Sequence, residues 1–124
     1  MEDIFQIIEA EETPGILFDK PAGKLSITGK SLPEDAASFY LPVITWLNDY
    51  IKSQNNETEI TFNLVYFNTA SSKQLFKILT LLKELSNTQK VKIIWRYDVG
   101  DKDMLASGER FSKLAQLPID IIRN

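Results

Sequence analysis

The chain has 124 residues and a net charge of −3, and it contains neither cysteine nor histidine. Without cysteine there are no disulfides or thiolate metal sites, and without histidine the commonest general base and most zinc sites are missing. The charges form no basic stripe suited to nucleic acid, and no apolar run is long enough to span a membrane. We therefore expect one domain, residues 1–124, in a cytoplasmic protein that does not insert into a membrane.

The first third of the chain is predicted to form three strands. Apolar runs at residues 4–8 and 16–18 are separated by an acidic turn, and Leu25 and Ile27 then alternate with polar residues. Turn residues at positions 19–23 indicate that the second and third strands form an antiparallel hairpin. Gly29 is expected to end the third strand.

A first helix is predicted to follow. The segment Ser31-Leu-Pro-Glu34 has the spacing of a capping box, with Ser31 as N-cap and Pro33 in the first turn. Apolar residues continue at the helical period to Ile51, across Pro42. This proline predicts either a kinked helix or two helices, the second beginning at Pro42. Residues 53–58 then form a polar loop.

Residues 61–83 predict a strand, a polar corner and a second helix. Alternating Ile60, Phe62, Leu64 and Tyr66 indicate a strand whose two faces are both largely covered. Small residues follow at positions 68–72, and a helical apolar stripe comes next: Leu75, Ile78, Leu79, Leu82 and Leu85. Small polar side chains of this kind commonly cap the start of a helix, and this is one interpretation of the corner. The alternative is a phosphate on Thr69 or Ser71, because the positive end of the helix dipole favours negative charge there.

The last part of the chain predicts a strand at residues 91–97, an acidic corner, a third helix and an edge strand near residues 119–122. Four residues of the third helix are expected to face the core: Met104, Phe111, Leu114 and Ala115. Asp98 and Glu109 have the spacing of a calcium loop, but Gly100 and Lys102 stand where ligands would be needed, so we expect no metal site.

The resulting order, βββαβαβαβ, predicts an α/β fold with one mixed sheet covered by helices. The carboxyl ends of parallel strands share one rim, so the corner at Asn68 and Thr69 is expected beside the corner at residues 98–101. No residue set suggests catalysis, so we expect that the protein is not an enzyme and uses no cofactor.

Several sequence blocks occur in a specific order along nearly the whole chain. These blocks are Thr13-Pro14, Phe18-Asp19, residues 23–29, residues 31–34, Phe39-Tyr40-Leu-Pro42, Trp46-Leu47, Tyr66-Phe-Asn-Thr69, Ser71-Ser-Lys73, Trp95-Arg-Tyr-Asp98, residues 101–104 and Gly108-Glu109. In these blocks the chain resembles the SiaC family of bacterial biofilm-regulation phosphoproteins, which are similar in fold to STAS anti-anti-sigma-factor domains. It departs from the family pattern at Ala70 and Gly100.

The resemblance implies a STAS-like domain that is switched by phosphorylation of Thr69, with Ser71 and Ser72 as alternates. A cognate Ser/Thr kinase would add the phosphate, and a metal-dependent Ser/Thr phosphatase would remove it. The unmodified form would bind and activate a partner such as a diguanylate cyclase, in c-di-GMP signalling and biofilm control. The expected contact surface comprises Tyr66, Phe67, Asn68, Ala70, Ser71, Lys73, Tyr97, Asp98 and Asp101.

Two other classes of function remain open from the sequence. One is a STAS-type antagonist that acts on a sigma-factor regulator through the same switch. The other is an enzyme or small-anion binder that uses the backbone amides of residues 68–72 directly.

Overall fold

The computed structural model describes residues 1–53, 55 and 57–124. Within them the chain forms six strands and three helices: β1 (Ile4–Ile7), β2 (Gly15–Asp19), β3 (Lys24–Ser31), α1 (Ala36–Tyr50), β4 (Glu57–Phe67), α2 (Thr69–Leu85), β5 (Lys90–Tyr97), α3 (Lys102–Ala115) and β6 (Asp120–Arg123). Two residues of the predicted polar loop, 54 and 56, lie outside the described residues. The predicted order βββαβαβαβ is confirmed.

The strands form one mixed sheet in the order β1-β2-β3-β4-β5-β6. β1, β2 and β3 pair antiparallel, whereas β3 to β6 pair parallel. β6 lies at an edge, as Pro118 predicted. Because consecutive strands from β3 onward are neighbours, crossovers of the same hand leave their helices on the same side of the sheet.

The helices cover only one face of the sheet. α1 contacts α2, and α2 contacts α3, so the three helices form a single layer. On β4 the side chains of Ile60, Phe62 and Leu64 are buried against that layer, whereas Thr61 and Asn63 on the opposite face remain half-buried. The prediction that both faces of β4 are largely covered is therefore wrong, and the fold has two layers.

Helix α1 begins later than predicted. Its N-cap is Asp35, whose Oδ1 accepts a hydrogen bond from the Ser38 N–H at 3.1 Å. Bonds from the hydroxyl and the amide of Ser38 lower the pKa of the Asp35 carboxyl. The predicted capping box is wrong because Ser31 still belongs to β3, so Pro33 precedes the helix. Pro42 lies inside one helix, so the two-helix alternative is also wrong.

Strand β3 continues past Gly29 because of a β-bulge in its pairing with β4. Gly29 pairs with Leu64, but the next residue, Lys30, pairs with Tyr66, so Val65 is an extra residue in β4. The predicted end of β3 at Gly29 is therefore wrong. The extra residue also changes which side chains face the helices. As a result, Val65 and Tyr66 are 52% and 56% exposed. Phe67 points back to the core.

The core lies between the sheet and the helix layer. All five apolar residues of the predicted α2 stripe are buried, and Met104, Phe111 and Ala115 of α3 are buried as predicted. Leu114 is 61% exposed, so its predicted place in the core is wrong, because it lies outside the buried stripe of α3. Within the described ranges, no helix combines the length and apolar character needed to cross a membrane.

Candidate functional site

A surface pocket of about 390 Å³ lies at the rim where β4 and β5 end. Its lining comes from the end of β4, the first turn of α2 and one face of α3: Val65, Tyr66, Phe67, Asn68, Thr69, Ser72, Asp101, Asp103, Met104, Ser107 and Arg110. The corners that follow the two strands meet there because β4 and β5 are adjacent and parallel. The predicted shared rim is therefore present.

Thr69 occupies the first helical position of α2, directly after its N-cap. The N-cap is Asn68, whose Oδ1 accepts a hydrogen bond from the Ser71 N–H at 2.8 Å. Thr69 and Ala70 are exposed. The amides of a first turn have no partners within the helix, and they carry the positive end of the helix dipole. The site thus presents an accessible hydroxyl where added negative charge is favoured.

Ser71 lies in the core, although it was predicted as an alternate acceptor. Its Oγ donates to the Ser31 carbonyl at 3.0 Å and accepts from the Ser31 Oγ at 2.8 Å. The Ser31 Oγ is in turn 2.6 Å from the Tyr40 hydroxyl. Burial raises the pKa of Tyr40 to about 12, although the hydrogen bond with Ser31 acts in the opposite direction. Ser72 is half-buried and lines the pocket.

Helix α3 contributes the charged side of the pocket. Asp101 is its N-cap, and the Asp101 Oδ1 accepts a hydrogen bond from the Met104 N–H at 3.0 Å. Asp103, Ser107 and Arg110 follow at intervals of four and three residues, which places them on one side of the helix. Two carboxylates and one guanidinium give the lining a formal charge of −1.

The sequence prediction does not include Asp103, Ser107 or Arg110. Their spacing on α3 is the signal that could have found them. Spacing shows that three side chains share a side of a helix, but it does not show which element that side meets. The packing of α3 beside α2 decides that point.

The remaining predicted contact residues occupy different environments. Phe67 packs against Trp95 and Phe111, with ring centroids 6.1 and 5.9 Å apart, while Tyr66 is mostly exposed. Asp98 is exposed, and its Oδ1 accepts a hydrogen bond from the Asn124 Nδ2 at 2.9 Å. Tyr97 is half-buried, and Lys73 is exposed on α2. Asp98, Tyr97 and Lys73 do not line the pocket.

Comparison with known proteins gives consistent matches. A family model described as SiaC family regulatory phosphoprotein matches residues 7–124. An uncharacterised protein of Pseudomonas aeruginosa strain UCBPP-PA14 is 31% identical over 112 residues, which are 90% of this chain and 89% of that protein.

Solved structures agree with that match. SiaC of Pseudomonas aeruginosa is 29% identical, with a TM-score of 0.88 over 99% of this chain and 100% of that chain. A chain in the crystal structure of diguanylate cyclase SiaD in complex with its activator SiaC, from the same organism, is 30% identical. Its TM-score is 0.90 over 97% of this chain and 99% of that chain.

The fold and these matches define the class as small α/β regulatory proteins. Within that class, the chain belongs to the SiaC family of regulatory phosphoproteins, as the sequence blocks predicted.

Proposed function

We propose that this protein is a non-enzymatic signalling protein that binds and activates a partner only while Thr69 is unmodified. SiaC, which is similar to this chain over almost its whole length, is the activator of the diguanylate cyclase SiaD in their complex. A diguanylate cyclase is therefore the proposed partner here. A cognate Ser/Thr kinase and a metal-dependent Ser/Thr phosphatase set the fraction of modified protein.

The position of Thr69 is the observation that carries this proposal. Its side chain is exposed at the first position of α2 and lines the pocket beside Tyr66. A kinase reaches that hydroxyl without unfolding the helix, and the helix N-terminus stabilises the added phosphate. Ser71 is a poorer acceptor because its hydroxyl is buried and hydrogen-bonded to Ser31.

Charge explains how modification releases the partner. A phosphate adds about −1.5 to −2 charge at neutral pH, beside the carboxylates of Asp101 and Asp103. A partner that covers the pocket must remove these charges from water, which costs free energy when they are not paired. Arg110 offsets only part of the added charge. The modified protein keeps its fold but loses affinity.

Binding of unmodified and phosphorylated protein to a purified diguanylate cyclase tests the proposal. We expect phosphorylation of Thr69, and Thr69→Asp, to weaken binding by about tenfold or more, which corresponds to at least about 1.4 kcal/mol. Thr69→Ala should still bind and activate the cyclase, and its intact mass should not change after incubation with the kinase.

Thr80→Asp is the matched control, because it adds the same charge at another exposed threonine of α2. Thr80 is eleven positions after Thr69 in the chain, which places it about 16 Å further along the helix axis and well away from the rim. We expect Thr80→Asp to bind like the wild type. Wild-type affinity for the phosphorylated protein would contradict the proposed switch.

A further inference from the structure

The first turn of α2 is tied to the end of β3 by a set of hydrogen bonds. The Asn68 N–H donates to the Ser31 carbonyl at 3.0 Å, and the Asn68 Nδ2 donates to the Pro33 carbonyl at 3.4 Å. Ser71, one turn further along, adds two bonds between its hydroxyl and Ser31. Thr69 therefore lies between two residues that are both anchored to the same segment.

Tyr40 completes this arrangement from helix α1. One assignment of the protons satisfies every hydroxyl: Tyr40 donates to the Ser31 Oγ, Ser31 donates to the Ser71 Oγ, and Ser71 donates to the Ser31 carbonyl. All three side chains are fully buried, with 0% of their surface exposed. Water does not reach these groups, so loss of one hydroxyl leaves its neighbour with one hydrogen bond fewer and no water to replace it.

We propose that Tyr40, Ser31 and Ser71 are positioning residues for Thr69. They hold the first turn of α2 in one orientation, so that an exposed side chain is presented to the kinase and to the partner in a fixed place. This inference rests on the proposed function, because it assumes that Thr69 is the modified residue. It adds that recognition depends on a buried chain of hydroxyls that neither partner touches.

The same helix supplies a matched control at its other end. Tyr50 is also fully buried on α1, and its hydroxyl lies 2.6 Å from the Thr58 Oγ1, the same distance as between Tyr40 and Ser31. Thr58 begins the buried side of β4 at the end of the sheet opposite the rim. Tyr40→Phe and Tyr50→Phe therefore each remove a buried tyrosine hydroxyl that pairs with a buried side-chain hydroxyl, but only the Tyr40 hydroxyl supports Thr69. The Tyr50 hydroxyl also accepts a hydrogen bond from the Asn55 Nδ2 at 3.1 Å.

Amide hydrogen exchange is the first measurement, because it needs neither the kinase nor the cyclase. We expect Tyr40→Phe to speed exchange of the hydrogen-bonded amides of Asn68, Ser71 and Ser72 by about tenfold relative to Tyr50→Phe, since the first turn opens more often. Urea midpoints of the two variants should be similar. Ser71→Ala serves as a second variant that breaks the chain without changing α1, in case Tyr40→Phe does not fold.

Phosphorylation by the kinase that modifies the wild-type protein is the second measurement. We expect Tyr40→Phe and Ser71→Ala to lower kcat/KM at Thr69 by about tenfold, while Tyr50→Phe keeps the wild-type value. Equal exchange and equal kcat/KM in the two tyrosine variants would overturn the positioning role. A wild-type protein that is never modified at Thr69 would instead overturn the proposed function, whatever the exchange result.

Discussion

Tyr40 makes the stability of the protein depend on pH in the alkaline range. Its pKa is raised from 10.0 to about 12 because burial disfavours the charged phenolate. The neutral Tyr40 side chain therefore stabilises the folded protein fully at pH values below the pKa of this tyrosine in the unfolded chain. This contribution to the free energy of unfolding is lost as the pH rises from 10 towards 12. At about pH 11.5 the loss should be about 2 kcal/mol, since each pKa unit corresponds to about 1.4 kcal/mol.

Urea unfolding of the wild type and of Tyr40→Phe checks this expectation. The difference between their free energies of unfolding should be constant up to about pH 9 and should then narrow by about 2 kcal/mol at about pH 11.5. Both proteins contain the same other ionisable side chains, so the contribution of those side chains to the pH dependence cancels. A difference that does not change with pH would show that Tyr40 is accessible to water.

Arg110 is expected to contact the phosphate, because it lines the same pocket as Thr69. Arg110→Gln should lower the free energy of unfolding of the phosphorylated protein by about 0.5–1 kcal/mol and leave the unmodified protein unchanged. Lys113→Gln removes a charge from the next turn of α3 and serves as the control, since Lys113 does not line the pocket. Equal effects of Arg110→Gln on both forms would contradict the pairing.

Helix α3 packs against the sheet closely enough to require glycine at one position. A Cβ on Gly108 would lie 2.5 Å from the Trp95 Cδ1, and Trp95 is held in place by its Nε1 bond to the Met104 carbonyl at 3.0 Å. Alanine is normally about 1 kcal/mol better than glycine inside a helix. We nevertheless expect Gly108→Ala to destabilise the protein by about 1–3 kcal/mol, because the helix or the indole must move.

Ala106→Gly on the exposed side of the same helix separates propensity from packing. It should cost about 1 kcal/mol, the propensity difference alone. Urea unfolding of both variants makes the comparison. A Gly108→Ala protein more stable than the wild type would mean that α3 lies farther from β5 than described.

Local signals explain which elements were predictable. The strand, corner and stripe of β4 and α2 follow from residues that are neighbours in the chain, so the sequence predicts their order and the place of Thr69 at a helix start correctly. The predicted boundaries are partly wrong, because β4 begins at Glu57, inside the predicted polar loop, and α2 already includes residues 69–72 of the predicted corner. Ser31 was assigned to a helix cap because its spacing to Glu34 fits one. Its actual role depends on Tyr40 and Ser71, which lie 9 and 40 residues away, and no local pattern reports such pairings.

The sequence prediction that both faces of β4 are covered is wrong for a different reason, which concerns the alternation of residues within the strand. Glu59, Thr61 and Asn63 alternate with the buried residues of β4, a pattern typical of a strand covered on one side only. The apolar half of that pattern alone suggested burial on both sides. The bulge at Val65 was also not predictable, because an extra residue in one strand is defined only by its pairing with another. It is this bulge that leaves Tyr66 exposed at the pocket.

Charge is distributed unevenly over the whole molecule. The pocket at the rim combines Thr69 with the carboxylates of Asp101 and Asp103. At the other end of the sheet, Lys24 pairs with Glu59 at 3.1 Å. Lys90, Lys92 and Glu57 lie nearby, so three positive and two negative side chains give that end a formal charge of +1. A phosphate at the rim therefore increases an existing local excess of negative charge in a chain with a net charge of −3.

Ionic strength distinguishes a charge effect from a change of shape. The Debye length falls from about 10 Å at about 0.1 M salt to about 3 Å at about 1 M. If repulsion drives the release of the cyclase, the ratio of Kd values for phosphorylated and unmodified protein should shrink several-fold over this range, as measured by titration calorimetry. Thr69→Asn, which is neutral, should bind like the wild type at both salt concentrations. A ratio that salt does not change would mean that long-range repulsion is not the cause, because salt screens buried charges much less than exposed ones. The cost of removing the phosphate charge from water, the size of the phosphate, or a rearranged first turn of α2 would then account for the release. A rearranged first turn would make the hydroxyl chain from Tyr40 to Ser71, rather than the carboxylates of α3, the carrier of the coupling.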